Sequence, residues 1–406
     1  MDNDCGVWCY FIGLRRIAIA RLSWQLQKEW GIDMRQPLPP IVDNTGINCL
    51  GMPLHNYMDM FKALPLCAAL LFTGLYSVAA TAQTVQTEGI AAPAYSIESS
   101  VAKEKLLLDV VRTGQRLVVV GDRGHILYSD NEGKSWLQAR VPTQQLLTAV
   151  HFVDDRHGWA VGHDALILST RDGGATWIRQ YDNLEAESPL LDIWFKDLSQ
   201  GYAVGAYGML LETRNGGQEW HRIDEKLGNE DAFHLNAITA VGNAGIFIVG
   251  EMGVMFRSTD WGETWEALEE PYQGSLFGVV AGSESNTLVV YGLRGHVFRS
   301  TDFGESWEEV TVLNEGARLQ FGLAGSAVSD KGDILIVGHG GSLLRSHDEG
   351  KSFEVFSRAD RTSLSAVIDG KDGGLILVGQ NGIYLTDEQG EDMLDKNKTG
   401  GHRNDN

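Results

Sequence analysis

From about residue 101 to 390 the chain is a succession of short runs in which apolar and polar side chains alternate, the period of a β-strand with one covered face. One stretch shows the plan. Leu147 to Phe152 (LTAVHF), Gly158 to Gly162 (GWAVG), Leu166 to Ser169 (LILS) and Trp177 to Gln180 (WIRQ) read as four strands joined by glycine-rich turns. LDIWF, GYAVG, MLLET and WHRI repeat that order one unit later. No apolar stripe of period 3.6 appears, which disfavours a helical solenoid.

The unit recurs seven times. A strand ending in Gly-x-x-Gly starts at Gly121 (GDRG), Gly162 (GHDA, with Ala165 for the second glycine), Gly205 (GAYG), Gly250 (GEMG), Gly292 (GLRG), Gly338 (GHGG) and Gly379 (GQNG), at spacings of 41 to 46 residues. A second signature, Ser/Thr-x-Asp-x-Gly-x-Thr/Ser-Trp, follows the first six. Its key pairs are Asn131 and Trp136, Asp172 and Trp177, Asn215 and Trp220, Asp260 and Trp265, Asp302 and Trp307, and Asp348 and Phe353; the seventh copy has decayed to TDEQG at Thr386. At a tight turn the Asp or Asn accepts bonds from turn amides, the glycine allows positive φ, and the aromatic opens the next strand. A four-stranded unit of this length cannot bury both faces alone, and radial stacking solves that problem. The expected fold is all-β, a seven-bladed propeller.

The last unit supplies three strands, in LSAVI from Leu364, GLILVG from Gly374 and GIYLT from Gly382, while the polar sequence from Glu391 onward is expected not to pair. Ala94 to Glu98 (AYSIE) alternates and precedes the first unit, so it is expected to complete the last blade as an N-terminal closing strand. The propeller then occupies residues 83–390, with a polar, disordered tail over 391–406.

Upstream, Met58 opens a segment with Lys62 as its basic start, an apolar core from Ala63 to about Ala80, and Ala80-Thr81-Ala82 before Gln83. That is the build of a secretory signal peptide, residues 58–82, cleaved after Ala82. It implies a periplasmic or secreted protein with no stable membrane insertion after cleavage; an uncleaved anchor is the alternative, since the run is near bilayer length. Cys67 lies inside the apolar core behind Leu66, outside a lipoprotein context. Residues 1–57 show neither repeat nor domain-like pattern and read as an extension upstream of the true start at Met58 or Met60.

Composition suits this reading, with 48 glycines, 11 tryptophans and 9 prolines. The net charge of −21 disfavours nucleic acid and anionic headgroups as partners. Cys5, Cys9, Cys49 and Cys67 all precede the repeats, so no disulfide or cysteine metal site holds the blades. Asp130-Asn131-Glu132-Gly133 lacks the spaced ligands of a calcium loop, and no tight histidine pair occurs; neither metal nor cofactor is expected.

At its boxes the chain resembles the bacterial neuraminidase repeat, or Asp-box, superfamily, and the combination AVGxxGxIxxSxDGGxTW is most similar to the photosystem II stability and assembly factor family. The resemblance covers roughly residues 101–390. It implies a non-enzymatic accessory that binds a membrane protein or membrane-protein complex on the periplasmic or lumenal side and aids its assembly or stability. The family is associated with an arginine-rich surface, from which this acidic chain departs. Asp boxes also occur in sialidases, other glycoside hydrolases and sorting receptors, so the box identifies fold more than function.

A sialidase needs three arginines converging on a carboxylate, and a Tyr nucleophile with a Glu partner and an Asp acid. The Arg-Ile-Pro strand of such enzymes is absent here, and Tyr128 and Tyr202 fall at strand positions suited to packing. Arg257, Arg299 and Arg345 precede the box serine by repeat logic, which argues for a structural role, their stems covering the adjacent sheet. No catalytic residue stands out.

With four strands per blade, the box turns share one face with the first-to-second-strand turns, and the Gly-x-x-Gly turns share the other with the between-blade connections. The second face varies most, which suits a binding rim. Its candidate partner-binding residues are Asp122, Arg123, His163, Asp164, Tyr207, Glu251, Arg294 and His339, beside Asp224 to Phe233 (DEKLGNEDAF), read as the longest connection. Three functions follow: a periplasmic or lumenal assembly scaffold, a sialidase-like or other glycoside-binding or hydrolysing propeller, and an accessory subunit of an envelope transporter.

Overall fold

A computed structural model describes residues 94–393; the expected extension and signal peptide, and most of the tail, lie outside the described residues. Seven antiparallel sheets follow one another along the chain, six with four strands in order and the last with three. The second strands, such as Gly158–Gly162, Gly201–Gly205 and Ile334–Gly338, are buried along their whole length between neighbouring blades, which is why they read as continuous apolar runs. Fourth strands are short and largely exposed, as in Leu137–Gln138 and His221–Arg222, and form the outer rim.

The first strands are Leu107–Thr113, Leu147–Phe152, Leu190–Phe195, Leu235–Val241, Leu276–Ala281, Leu323–Val328 and Leu364–Asp369. Each touches the next and the last touches the first, so they line the axis of a closed ring. This is the seven-bladed propeller that seven repeats imply.

Each box turn is a small hydrogen-bonded unit. In the fourth blade Asp260 Oδ1 accepts from the Ser258 hydroxyl (2.8 Å) and the Thr264 amide (2.9 Å), while Oδ2 accepts from the Thr264 hydroxyl (2.6 Å). The Gly262 amide donates to Ser258 Oγ at 2.7 Å. These donors hold the Asp260 carboxyl down at about 2. Asp172, Asp302 and Asp348 repeat the net, and Asn131 and Asn215 keep its amide bond without the charge.

The box aromatic belongs to the seam with the preceding blade. Trp177 is buried among Val118, Val120 and Ile126 of the first blade. Trp265 and Trp307 meet Tyr202 and Phe247 of the blade before them edge-on, each at 6.0 Å. Trp220 meets Phe195 of its own blade edge-on at 5.7 Å and packs on the cluster that holds Trp159 and Val161 of the second blade. Phe353 packs onto the fifth-blade cluster around Val289. Trp136 packs with Ala366 and Val378 of the last blade, which places it in the closing seam.

Closure differs from the sequence expectation. Ala94 to Glu98 adds no strand to the last sheet; it runs along the first blade, where the Ser96 amide donates to Val141 O (2.9 Å) and Gln138 Nε2 donates to Ile97 O (3.0 Å). The last sheet's outer edge is taken by the chain's own C-terminal end. Asp392 bridges Thr386 antiparallel, and the Met393 amide donates to Leu385 O at 3.1 Å. The polar run therefore does pair, because an edge strand needs backbone bonds and one anchor more than apolar side chains. That anchor is the buried Arg358, which donates to Gly390 O (2.6 Å) and Asp392 Oδ1 (2.9 Å). The N-terminal segment still reaches the last blade, as a connection: the 3-10 turn Ala102–Glu104 lies against Gly382.

The longest connection is also not Asp224 to Phe233. Residues 310–322, between the fifth and sixth blades, form a longer one with its own hairpin, Leu313–Asn314 paired to Ala317–Arg318. Two-residue strands leave too short an alternation to read from sequence.

Candidate functional site

All seven Gly-x-x-Gly tips are fastened by one bond. The amide after the first glycine donates to the carbonyl just before that blade's first strand: Asp122 to Leu106 O (2.9 Å), His163 to Leu146 O (3.0 Å), Ala206 to Pro189 O (3.0 Å), and Glu251 to His234 O (2.8 Å). Leu293, His339 and Gln380 complete the set, to Ser275, Gly322 and Ser363. The approach leaves no room for a side chain: a Cβ on Gly292 would stand 2.1 Å from Ser275 O. Tips and connections thus interlock around one face, opposite the boxes.

The second variable residue of the tip is left-handed: Arg123 (φ 54°), Asp164 (61°), Tyr207 (56°), Met252 (59°), Arg294 (57°) and, in the sixth blade, Gly340 (65°). A non-glycine residue there costs on the order of 1 kcal/mol. The fourth box position is left-handed too, at Glu132, Trp261, Phe303 and Glu349, but those side chains join blades. Glu132 pairs with Lys371 of the last blade at 3.4 Å, Trp261 stacks on Trp194 at 6.1 Å, and Phe303 meets Phe247 at 5.8 Å. On the tips the corresponding side chains face outward. Tyr207 is 56% exposed and Met252 45%, and Arg294 is exposed with no ion pair among the described residues.

The structure gathers some of the candidate residues and separates others. The Tyr207 amide donates to His234 Nδ1 (2.7 Å), the two rings meet edge-on at 5.1 Å, and the His234 amide donates to Glu251 Oε2 (3.3 Å). Tyr207, His234 and Glu251 are therefore one group spanning the third and fourth blades. Arg123 is exposed beside Asp122 at 3.6 Å. Asp164 accepts from Gln145 Nε2, next to the exposed His163. His339 lies 3.2 Å from Ser363 Oγ, and burial holds its imidazole below the ordinary range. His163 and His339 sit on the second and sixth blades and form no pair. Among the described residues, no three His, Cys, Asp or Glu side chains converge as a metal site.

Sequence reasoning missed the apolar members of this face. Leu293 and Phe321 are exposed, and Phe321 covers Gly340 of the next tip. Tyr272 stacks on His296 at 4.2 Å beneath the Leu293 tip. For Leu293 the available signal was an apolar residue at a tip where a solvated turn would carry Asn, Asp or Gly.

One pair has the residue types of a glycosidase site. Tyr202 Oη donates to Glu212 Oε1 (2.9 Å), and Glu212 also pairs with Arg214 (2.6 Å). Tyr202 is fully buried, bonded to Trp261 O (2.8 Å), and a Cβ on Gly262 would stand 2.0 Å from its hydroxyl. The box of the fourth blade seals the pair from any sugar. Burial and the Glu212 charge push the phenol up, opposite to the need of a nucleophile. Arg257 and Arg299 point into blade seams, to Phe303 O (3.1 Å) and Glu349 O (2.6 Å), and Arg345 pairs with Glu388 (3.3 Å). They do not converge on a substrate.

Two carboxylates lie in the inner ring. Asp109 accepts from the amides of Val110 and, in the second blade, Val150; Asp192 accepts from Ile193 and, in the fourth, Ile238, all at 2.8 Å. Each ties its first strand to the next. Burial pushes both up to about 7 against these bonds, and the Asp109 charge adds to the rise at Asp192. An unfolded aspartate titrates near 3.9, so between about pH 4 and 7 the folded chain holds protons that the unfolded chain has released. Their stabilisation is full below pH ~4 and lost as the pH rises to ~7, at no more than about 1.4 kcal/mol per unit for each group. Both groups keep some accessible surface, which reduces that bound. Urea unfolding is expected to show stability falling across this window, with a shallower fall in Asp109→Asn/Asp192→Asn; an unchanged slope would refute the assignment.

With this geometry established, comparison with known proteins places the chain. The profile described as "Photosynthesis system II assembly factor YCF48" matches residues 128–185 and 179–317. The photosystem II assembly protein Ycf48 of Synechococcus sp. (strain JA-3-3Ab) is 31% identical over 297 residues, 62% of this chain and 87% of the relative. The chain belongs to the Ycf48 family. A second member, the photosystem II assembly lipoprotein Ycf48 of Parasynechococcus marenigrum (strain WH8102), is 31% identical over 273 residues, 65% of this chain and 79% of its own. Among solved structures, one titled YCF48 bound to D1 peptide superimposes with a TM-score of 0.54 at 18% identity, covering 74% of this chain and 98% of the other. That likeness speaks to the Ycf48 fold. None of the described helices is long and apolar enough to cross a membrane.

Proposed function

We infer that this Ycf48-family propeller is a non-enzymatic assembly scaffold, which holds a membrane-protein intermediate against its Gly-x-x-Gly face on the periplasmic or lumenal side of a membrane. The observation that carries the reading is the contrast between the two faces. The box Asp, Ser and Thr side chains bond within their own turns and the box aromatics pack in the seams, whereas the tips share one backbone bond and present different, outward-facing side chains. A fixed frame with a varied rim is the build of a recognition surface. The Tyr202–Glu212 pair is sealed and Arg257 and Arg299 are held in seams, so these groups are not aimed at a substrate. The photosystem II assembly role in the relatives' names, and the D1 peptide bound by one of them, suggest a membrane-protein partner of that kind.

The test is affinity capture of residues 83–406 from the source organism's membranes, with mass spectrometry of the retained proteins. Integral membrane proteins should be retained, and Arg123→Glu should retain less of them. Equal retention by the two forms would remove that arginine from the surface, and retention of soluble proteins alone would overturn the reading.

A further inference from the structure

The tips of the third to sixth blades form a continuous row. Tyr207 contacts His234, the carbonyl of His234 holds the Glu251–Met252 tip, Tyr272 O lies beneath Gly253, and Ser275 O holds Leu293. The row ends at Phe321, which lies over Gly340. Its outward members, Tyr207, Met252, Leu293 and Phe321, are all large and exposed. Tyr207 and Met252 also hold the left-handed backbone that the sixth blade gives to glycine, so the local turn alone does not account for them.

Between these apolar knobs lie pairs of acids. Glu230 and Asp231 belong to the connection that packs on Gly208 beside Tyr207, and Glu269 and Glu270 to the one that packs on Gly253 beside Met252. All four are exposed, and among the described residues none forms an ion pair. The tips of the first, second and seventh blades carry Asp122-Arg123, His163-Asp164 and Gln380-Asn381 instead.

We propose that this arc, from Tyr207 to Phe321, docks a polypeptide segment in which apolar side chains are interleaved with lysine or arginine, the chemistry found where a membrane span meets its aqueous flank. The proposal deepens the scaffold reading and rests on it for the partner's class. The apolar knobs desolvate against the segment's apolar side chains while Glu230, Asp231, Glu269 and Glu270 meet its cations. The chain's acidic balance then favours capture instead of opposing it.

Short synthetic peptides of alternating leucine and lysine, leucine and glutamate, or serine and lysine, labelled for fluorescence anisotropy, separate the two contributions. The leucine–lysine peptide should bind, and the other two at least roughly tenfold more weakly. Tyr207→Ser/Met252→Ser/Leu293→Ser and, independently, Glu230→Gln/Asp231→Asn/Glu269→Gln/Glu270→Gln should each weaken it by a similar factor, with melting temperatures unchanged. Full binding by either variant, equal binding of the serine–lysine peptide, or displacement of the peptide by phosphatidylcholine vesicles overturns the proposal. Membrane capture that survives in the serine variant sinks only this surface. Failure of the unaltered protein to capture membrane proteins, with peptide binding intact, sinks the scaffold reading.

Discussion

Replacing Trp177 by alanine should cost about 3–5 kcal/mol of unfolding free energy, more than any other box substitution. Trp177 is 3% exposed, where the other box tryptophans are only half-buried. Its ring meets Phe152 edge-on at 6.1 Å and fills the seam between the first two blades with Val118, Val120 and Ile126. Its Nε1 donates to Gly174 O at 2.9 Å, a bond that Trp220, Trp265 and Trp307 lack among the described residues. Alanine therefore leaves a cavity between two rigid sheets and an unsatisfied carbonyl beside it. Trp136→Ala, at the half-buried closing seam, should cost less. Urea unfolding of the two variants measures the difference; a loss below about 1 kcal/mol at Trp177 would mean that the seam collapses to fill the space.

Gly382→Val is expected to open the ring. Gly382 has φ +96°, and a Cβ there would stand 1.9 Å from Lys103 O, in the connection that joins the last blade to the first. The variant carries both backbone strain and a clash with a neighbour whose carbonyl cannot give way without shifting Ala102, which is buried in the closing cluster. Gly316→Val is the control, since φ is +84° and nothing lies within 4 Å. It should show the strain alone, about 1–3 kcal/mol, while Gly382→Val should lose roughly twice as much. Hydrogen exchange in the Gly382 variant should rise first at residues 101–107 and 379–386. Equal losses in the two variants would show that the N-terminal connection does not hold the ring.

Much of this fold was readable because repetition multiplies weak signals. A single Gly-x-x-Gly is uninformative, but seven at a near-constant spacing fix blade number, and Asp260 or Asp302 explains each turn by its own local bonds. The closing seam was not readable, because it depends on single contacts without a repeat. Lys103 against Gly382 has no period, and Arg358 reaching Asp392 joins two segments by charge where the search was for alternating apolar residues. The candidate site was legible as a face and not as a surface. Counting strands places Tyr207, Glu251 and Arg294 on one side, but the contact that brings His234 between Tyr207 and Glu251 depends on how a long connection folds back. Glu212 was missed for a related reason: its partner Tyr202 is on the adjacent strand, and only their register shows the pair.

The claim that binding occurs opposite the boxes is tested most directly by hydrogen exchange of the protein alone and in complex with the membrane protein it captures. Protection is expected at the tips around residues 205–208, 250–253 and 292–295 and in the connections 224–234 and 269–275, with the boxes unchanged. Protection confined to the box turns, at residues such as 258–265 and 300–307, would contradict the account.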